Sequence, residues 1–220
     1  MRSHAPRPDP MLLATAERAD LADLLDSLTD EQWEAPTLCE GWCVREVVAH
    51  VVSYEELGAA GGLRRFLRCG FSFDRANAAG LREYGRRSPD ELRDLLRRHL
   101  RPSGLTAIRK GGVGLTDGMV HHQDIRRALG MPREIPAERL LPTIEFALRA
   151  PALPSRRAAD GLGLRATDLD WSHGSGPAVR GPGEALLMAV AGRSAALDDL
   201  EGDGVGLFRE RLVELRARGA

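Results

Sequence analysis

The stretch that decides the fold reads Val44-Arg45-Glu46-Val47-Val48-Ala49-His50-Val51-Val52. Its valines recur at spacings of three and four residues, so on an α-helix they form one broad apolar stripe. A helix tolerates so many β-branched side chains only where burial compensates for their restricted rotamers. We therefore predict a buried helix from about Cys43 to Leu57, with His50 at the end of its apolar stripe.

Further helices are predicted on both sides of this stretch. Thr29 and Gln32 are spaced as a capping box at the start of a short helix, and Ser88 caps another. The run from Gly58 to Gly62 is predicted to break the helical pattern, and Gly130 is expected to end a helix. Apolar periodicity, or proline and glycine at the helix ends, indicates longer helices over residues 11–27, 89–100, about 116–129 and about 136–149.

The composition changes after residue 150. Prolines and small residues over 151–163 predict a linker, and residues 161–170 and 178–180 predict short strands. Helices are expected over 183–192 and 205–218. The predicted fold class is α+β, predominantly α, with a helical bundle over residues 10–150 and a small α+β unit over 160–220.

The composition limits where the protein works and what it contacts. A net charge of -1 in 220 residues gives no electrostatic reason to expect a nucleic acid or membrane partner. Three cysteines do not form an even disulfide framework, and no apolar run approaches the roughly 20 residues that span a bilayer. Residues 1–10 are polar and proline-rich, which predicts no signal peptide. We expect a cytoplasmic protein.

Two predicted helices carry side chains that could converge on a metal ion. Asp117 and His121 are four residues apart, so they share one face of the helix over 116–129. With His50 they could make a three-coordinate site that leaves an open position, as catalytic metals do. Asp124 shares that face and could orient a ligating imidazole. His122 is rotated by about 100°, so His121 is the favoured ligand.

Each of these residues also has an ordinary structural interpretation. His50 could be a core or cap residue, and Asp117 with His121 could be a helix salt bridge. Glu46 is best explained as an acid at a helix N-terminus or a partner of Arg45. Cys39 and Cys43 flank Trp42, which favours packing over a zinc site.

Three motifs resemble one known family. Trp33, Pro36-Thr37-Leu38-Cys39-Glu40-Gly41-Trp42 and the stretch ending at His50 resemble the N-terminal motif of the mycothiol-dependent maleylpyruvate isomerases, within the DinB-like metal-binding four-helix bundles. Val120-His121-His122-Gln123-Asp124-Ile125-Arg126-Arg127-Ala128-Leu129-Gly130 resembles the second motif. Three further stretches resemble the family's C-terminal segment: Ala166-Thr167-Asp168-Leu169-Asp170-Trp171-Ser172-His173-Gly174, Gly181 to Leu187, and Ala191-Gly192-Arg193.

The resemblance implies a divalent metal, usually zinc, on His50, Asp117 and His121, with mycothiol as the thiol cosubstrate. It implies that Arg193 lies near the active site and binds an anionic group of the thiol or substrate. The family's acid is usually glutamate, whereas Asp117 is shorter, and Gly118 beside it is expected to loosen the helix.

The expected function is therefore that of a metal-dependent enzyme acting on a small-molecule electrophile with a low-molecular-weight thiol. The metal would lower the pKa of the thiol, and the thiolate would carry out S-transfer or cis–trans isomerisation. Asp124 and Arg193 are the predicted catalytic residues besides the metal ligands. Two alternatives remain: a non-catalytic binding or regulatory module, and a hydrolase that uses metal-bound water.

Overall fold

A computed structural model describes residues 8–219. Contacts divide the chain into two compact units, with the boundary between Leu129 and Gly130. The prediction that residues 1–10 hold no signal peptide falls mostly on residues 1–7, outside the described residues. Helices predominate and one small sheet is present, so the predicted α+β, predominantly α, fold class is confirmed.

The first unit is entirely helical in its regular structure. Its helices are α1 (Pro10–Asp26), α2 (Asp30–Trp33), α3 (Val44–Val52), α4 (Gly58–Arg68), α5 (Phe73–Tyr84), α6 (Pro89–Arg98) and α7 (Gly112–Ala128). Four of them form a bundle, because α1 and α3 each pack against both α6 and α7. The valines of α3 are fully or almost fully buried in this bundle, as their spacing predicts.

The predicted helix ends agree well with the structure where capping chemistry is strong. Thr29 and Ser88 each form a complete capping box, with Gln32 and Glu91 respectively. Gly130 follows α7 with a φ of 64°, a conformation that glycine adopts without strain. α3, however, ends at Val52 instead of near Leu57.

The prediction that Gly58 to Gly62 breaks the helical pattern was wrong, because α4 begins at Gly58 and is followed by α5. The glycines there allow close packing. A Cβ on Gly62 would come within 2.7 Å of Leu105 Cδ1, and one on Gly80 within 2.7 Å of Ser53 Oγ. Glycine lowers helix propensity by about 1 kcal/mol, so the local sequence favours a break where the tertiary structure has a helix.

The second unit combines a small sheet with helices. Its elements are α8 (Ala137–Ala147), α9 (Ser155–Ala158), β1 (Gly163–Ala166), β2 (Ser172–His173), β3 (Ala178–Gly181), α10 (Gly183–Val190), a 3₁₀ helix (Ser194–Asp199) and α11 (Val205–Gly219). The strand order is β2-β1-β3, with β1 antiparallel to β2 and parallel to β3.

α10 forms the centre of this second unit. It packs against β1 and β3, and also against α8 and the 3₁₀ helix. Its residues from Gly183 to Val190 are buried apart from a half-buried Glu184. Contacts with α10 thus group α8 with the second unit, whereas the predicted bundle over residues 10–150 includes α8.

The described residues include no membrane-crossing candidate. Within residues 8–219, no helix has both the length and the apolar character that a membrane span requires.

Candidate metal centre

α3 and α7 bring three potential ligands together inside the first unit. His50 lies in the last turn of α3, and Asp117 and His121 lie one turn apart on α7. One donor atom from each residue lies within 4.8 Å of the other two. His50 and His121 are buried, whereas the Asp117 side chain is 27% exposed, so the cluster is open to solvent on the aspartate side.

The spacing of the donor atoms suits a small divalent ion. His50 Nε2 lies 3.3 Å from Asp117 Oδ1, and His121 Nε2 lies 3.7 Å from the same oxygen. Ligands at about 2.0–2.2 Å from a tetrahedral zinc ion lie roughly 3.3–3.6 Å from one another. These two distances match such an ion, and all three donor atoms lie within 4.8 Å of one another.

Asp124 fixes the orientation of the His121 imidazole. The Asp124 carboxylate is fully buried, and its Oδ2 lies 3.0 Å from His121 Nδ1. An ionised carboxylate can only accept, so Nδ1 is the nitrogen that donates. When the imidazole is neutral, its lone pair is then on Nε2, the nitrogen that faces Asp117. Carboxylates orient metal-binding histidines in this way.

Asp117 is held as an anion by its surroundings. Burial by itself would raise the pKa of the carboxyl group. The hydrogen bond and charge of His50, with the charges of His121 and Arg18, outweigh burial and hold the pKa of Asp117 well below its usual range. α7 continues through Gly118 without interruption, so the expected loosening of the helix is not observed.

Aromatic rings flank His50 on two sides. The ring centroids of Trp42 and His50 lie 5.2 Å apart. Tyr54 contacts the His50 ring edge-on, with the centroids 6.0 Å apart. The Tyr54 hydroxyl donates to Asn77 Oδ1 at 2.8 Å. Burial raises the pKa of Tyr54 to about 12, so the phenol is neutral near pH 7. These rings limit the directions that the imidazole can adopt.

The loop before α3 also reaches the cluster, a contact that the sequence does not predict. The Leu38 amide donates to the Asp124 carbonyl at 3.3 Å and attaches the loop to α7. Cys39 Sγ, a nitrogen of His121 and a carboxylate oxygen of Asp124 lie within 4.8 Å of one another. Sequence spacing gave no sign of this contact, because Cys39 is more than eighty residues before His121. Cys43 instead lies 4.0 Å from Glu34 Oε2.

His122 has a different environment from its neighbour. Its Nδ1 lies 2.9 Å from Glu17 Oε1, and its Nε2 accepts from Arg126 Nε at 2.8 Å. The side chains of His122 and Glu17 are completely buried. With both ring nitrogens engaged, His122 does not join the cluster of His50, Asp117 and His121.

Glu46 and Arg193 form hydrogen bonds with residues outside the cluster of three potential ligands. Glu46 accepts a hydrogen bond from the Cys43 amide at 2.9 Å, so it acts as an acid at the start of α3. Arg193 lies in the second unit before the 3₁₀ helix, and its Nη1 donates to the Ala191 carbonyl at 2.8 Å. Its predicted role at the active site stays a prediction.

Comparison with known proteins supports the resemblance seen in the motifs. Residues 14–110 match the family model of the mycothiol maleylpyruvate isomerase N-terminal domain. The matched region includes His50 and the loop that contains Cys39, and it ends before Asp117. No curated protein matches this sequence.

Two solved structures have the same fold. One is the crystal structure of the mycothiol-dependent maleylpyruvate isomerase, with a TM-score of 0.57 and 16% sequence identity. The other is a histidine-to-alanine mutant of the same name, with a TM-score of 0.61 and 16% identity. Each comparison covers 90% of this chain and 93% of the other. The similarity extends over both units of the chain.

Proposed function

We propose that this protein is a metal-dependent enzyme that uses mycothiol to transform a small electrophile. His50, Asp117 and His121 would hold a divalent ion, for which zinc is the best candidate. The observation that carries the proposal is the convergence of two imidazoles and one carboxylate, with donor atoms within 4.8 Å of one another.

The donor set supports a catalytic centre more than a structural one. Structural zinc sites use four protein ligands, whereas catalytic sites use three and leave a position open. His50, Asp117 and His121 are three nitrogen or oxygen donors, and Asp117 lies at the exposed side of the cluster. A bound divalent ion would lower the pKa of a thiol or water at the open position.

The chain's own residues would prepare this centre before a substrate arrives. Asp124 keeps the His121 imidazole in one orientation, with Nε2 towards Asp117. Trp42 and Tyr54 restrict the His50 ring from two sides. Ligands that are already oriented lose little side-chain entropy on binding an ion.

The proposed thiol follows from the family of the N-terminal domain. The matched model is that of the mycothiol maleylpyruvate isomerase N-terminal domain, and the two similar structures are of the mycothiol-dependent maleylpyruvate isomerase. The reaction would be thiol-dependent isomerisation or transfer of the thiol to the electrophile. We propose that Arg193 binds an anionic group of the thiol or substrate, since a guanidinium pairs with a carboxylate through two hydrogen bonds.

The test combines metal binding with thiol dependence. The protein should bind about one zinc ion per chain. In the presence of zinc it should consume mycothiol or isomerise maleylpyruvate, within a panel of small electrophiles. His50→Ala should weaken zinc binding and reduce turnover by roughly 10³-fold or more, because one of three ligands is lost.

His99→Ala is the matched control in the same unit. His99 caps α6, and its backbone carbonyl accepts from Arg18, so the substitution retains that hydrogen bond. Zinc content and turnover should be unchanged. Absence of stoichiometric zinc in the unaltered protein, or unchanged turnover in His50→Ala, would refute the proposal. Turnover without any thiol would instead identify a metal-dependent hydrolase.

A further inference from the structure

We propose that Cys39, His121 and Asp124 form a second metal-binding position, which shares the His121 imidazole with the proposed centre. The ligand would be a thiophilic divalent ion such as Zn²⁺ or Co²⁺. This inference rests on the proposed function only in that both positions use His121. It goes beyond that function, because it assigns a protein thiolate to the metal.

The geometry of three different donor types carries the proposal. Cys39 Sγ, one nitrogen of His121 and one oxygen of Asp124 lie within 4.8 Å of one another. Sulfur, nitrogen and oxygen ligands at about 2.0–2.3 Å from zinc lie roughly 3.3–3.8 Å apart in a tetrahedral site. A shift of about 1 Å in the loop or the side chains would complete this arrangement.

The His121 ring lies between the two groups of donors. Its Nε2 faces Asp117 at 3.7 Å, and its Nδ1 faces Asp124 at 3.0 Å. A neutral imidazole has a lone pair on only one nitrogen at a time. The two positions are therefore alternatives for one ion, with His121 Nε2 used in the first and Nδ1 in the second. The expected stoichiometry remains one ion per chain.

The loop that carries Cys39 has a defined conformation. The Thr37 amide donates to the Trp42 carbonyl at 3.1 Å, and the Trp42 amide donates to the Cys39 carbonyl at 3.0 Å. The Cys39 amide donates to Thr37 Oγ1 at 3.1 Å. Gly41 provides the positive φ of 78° that this turn requires. The backbone thus holds Cys39 beside α7 without a metal.

The other two cysteines do not share this environment. Cys43 lies at the start of α3 near Glu34 and Glu46, and burial, with these carboxylates, raises the pKa of its thiol. Cys69 ends α4. Neither belongs to a group of potential ligands among the described residues. Cys43→Ser and Cys69→Ser are therefore matched controls for Cys39→Ser.

Cobalt(II) spectroscopy of the protein tests the proposal without an activity assay. A thiolate bound to cobalt produces a near-ultraviolet charge-transfer band, whereas the visible ligand-field bands report any tetrahedral site. Equimolar Co²⁺, with a phosphine reductant and no added thiol, should give both kinds of band. Cys39→Ser and Cys39→Ala should lose the charge-transfer band and keep the ligand-field bands, and the two control variants should keep both.

His50→Ala separates this proposal from the proposed function. His50 belongs only to the first position, so the variant should keep the charge-transfer band from Cys39. Ligand-field bands without a charge-transfer band in the unaltered protein would overturn the second position and leave the first intact. A charge-transfer band that persists in Cys39→Ser would also overturn it. No cobalt absorption at all would overturn both positions.

Discussion

Two polar clusters on α7 differ although their central histidines are adjacent in the sequence. His121 faces Asp117, whose side chain is 27% exposed, and the three candidate ligands lie close together on one side of the bundle. His122 points to Glu17, and neither side chain has any solvent exposure. The cluster of His121 thus opens to solvent through Asp117, whereas His122 is part of the buried interface between α1 and α7.

The hydrogen bonds explain why only one of these histidines is a candidate metal ligand. Arg126 can only donate, so His122 Nε2 accepts its hydrogen bond and Nδ1 donates to Glu17. Both nitrogens of His122 are thereby committed to protein partners. His121 donates from Nδ1 to Asp124 and keeps its other nitrogen directed towards Asp117. A rotation of about 100° between successive residues is enough to separate the two roles.

The largest expected effect comes from exchanging these neighbouring histidines for alanine. His121→Ala should lower zinc affinity by at least about 10³-fold, or about 4 kcal/mol, because it removes the ligand common to both positions. His122→Ala should retain one zinc ion per chain. Isothermal titration calorimetry and metal analysis measure the difference. Equal loss of zinc in the two variants would contradict the distinction between the clusters.

For the free energy of unfolding, the larger effect is expected at His122. His122→Ala leaves Glu17 buried beside a cavity, which should lower the free energy of unfolding by about 3 kcal/mol. Urea denaturation of the metal-free protein measures this change. Arg97→Ala is the control, since it breaks only the exposed pairs with Asp23 and Asp26 and should change stability very little. A comparable loss of unfolding free energy in both variants would show that the buried pair of His122 and Glu17 stabilises the fold no more than the exposed pairs do.

A smaller effect is expected at the residue that orients His121. Asp124→Asn removes the charge that holds the imidazole while preserving the size of the side chain. Zinc affinity should fall by roughly 10–100-fold, or about 1.4–2.7 kcal/mol. Competition with a chelator of known affinity provides the measurement. Unchanged affinity would mean that Asp124 neither orients nor binds.

The smallest expected effect is the dependence of stability on the ionisation of the two tyrosines, one beside the cluster and one elsewhere in the first unit. Tyr54 contacts His50, whereas Tyr84 donates to Glu56 at 2.9 Å. Burial raises the pKa of each to about 12 from an ordinary 10.0, and in Tyr84 the bond to Glu56 contributes as well. Absorbance of tyrosinate in the folded protein should therefore remain low up to about pH 11.

The sign of the stability change follows from the same shift. Between about pH 10 and 12 the unfolded chain loses tyrosine protons that the folded protein retains, so the free energy of unfolding falls as pH rises. Tyr54→Phe and Tyr84→Phe should each remove one of the two titration steps. A step near pH 10 in the folded protein would contradict the burial of that tyrosine.

Several parts of the fold could be predicted because they depend on local chemistry. The capping boxes at Thr29 and Ser88, the apolar stripe of α3 and the glycine after α7 are all present in the structure. α4 and α5 could not be predicted, because their glycines weaken the local helical signal. Their stability depends on close packing of Gly62 and Gly80 against other segments.

The candidate site was only partly predictable for the same reason. The spacing of Asp117 and His121 on one helix face is a local property, so the sequence could indicate it. The position of Cys39 depends on a hydrogen bond between Leu38 and Asp124, which are far apart in the chain. No periodicity reports such a contact.

The sequence by itself determined which faces of α3 and α7 carry potential ligands, because helical periodicity is fixed by the backbone. Only the tertiary structure decided that these faces meet, that Cys39 joins them, and that His122 is occupied by Glu17. Those outcomes depend on packing between helices and on hydrogen bonds between distant segments. The pattern of residues within one segment does not report such contacts between distant segments.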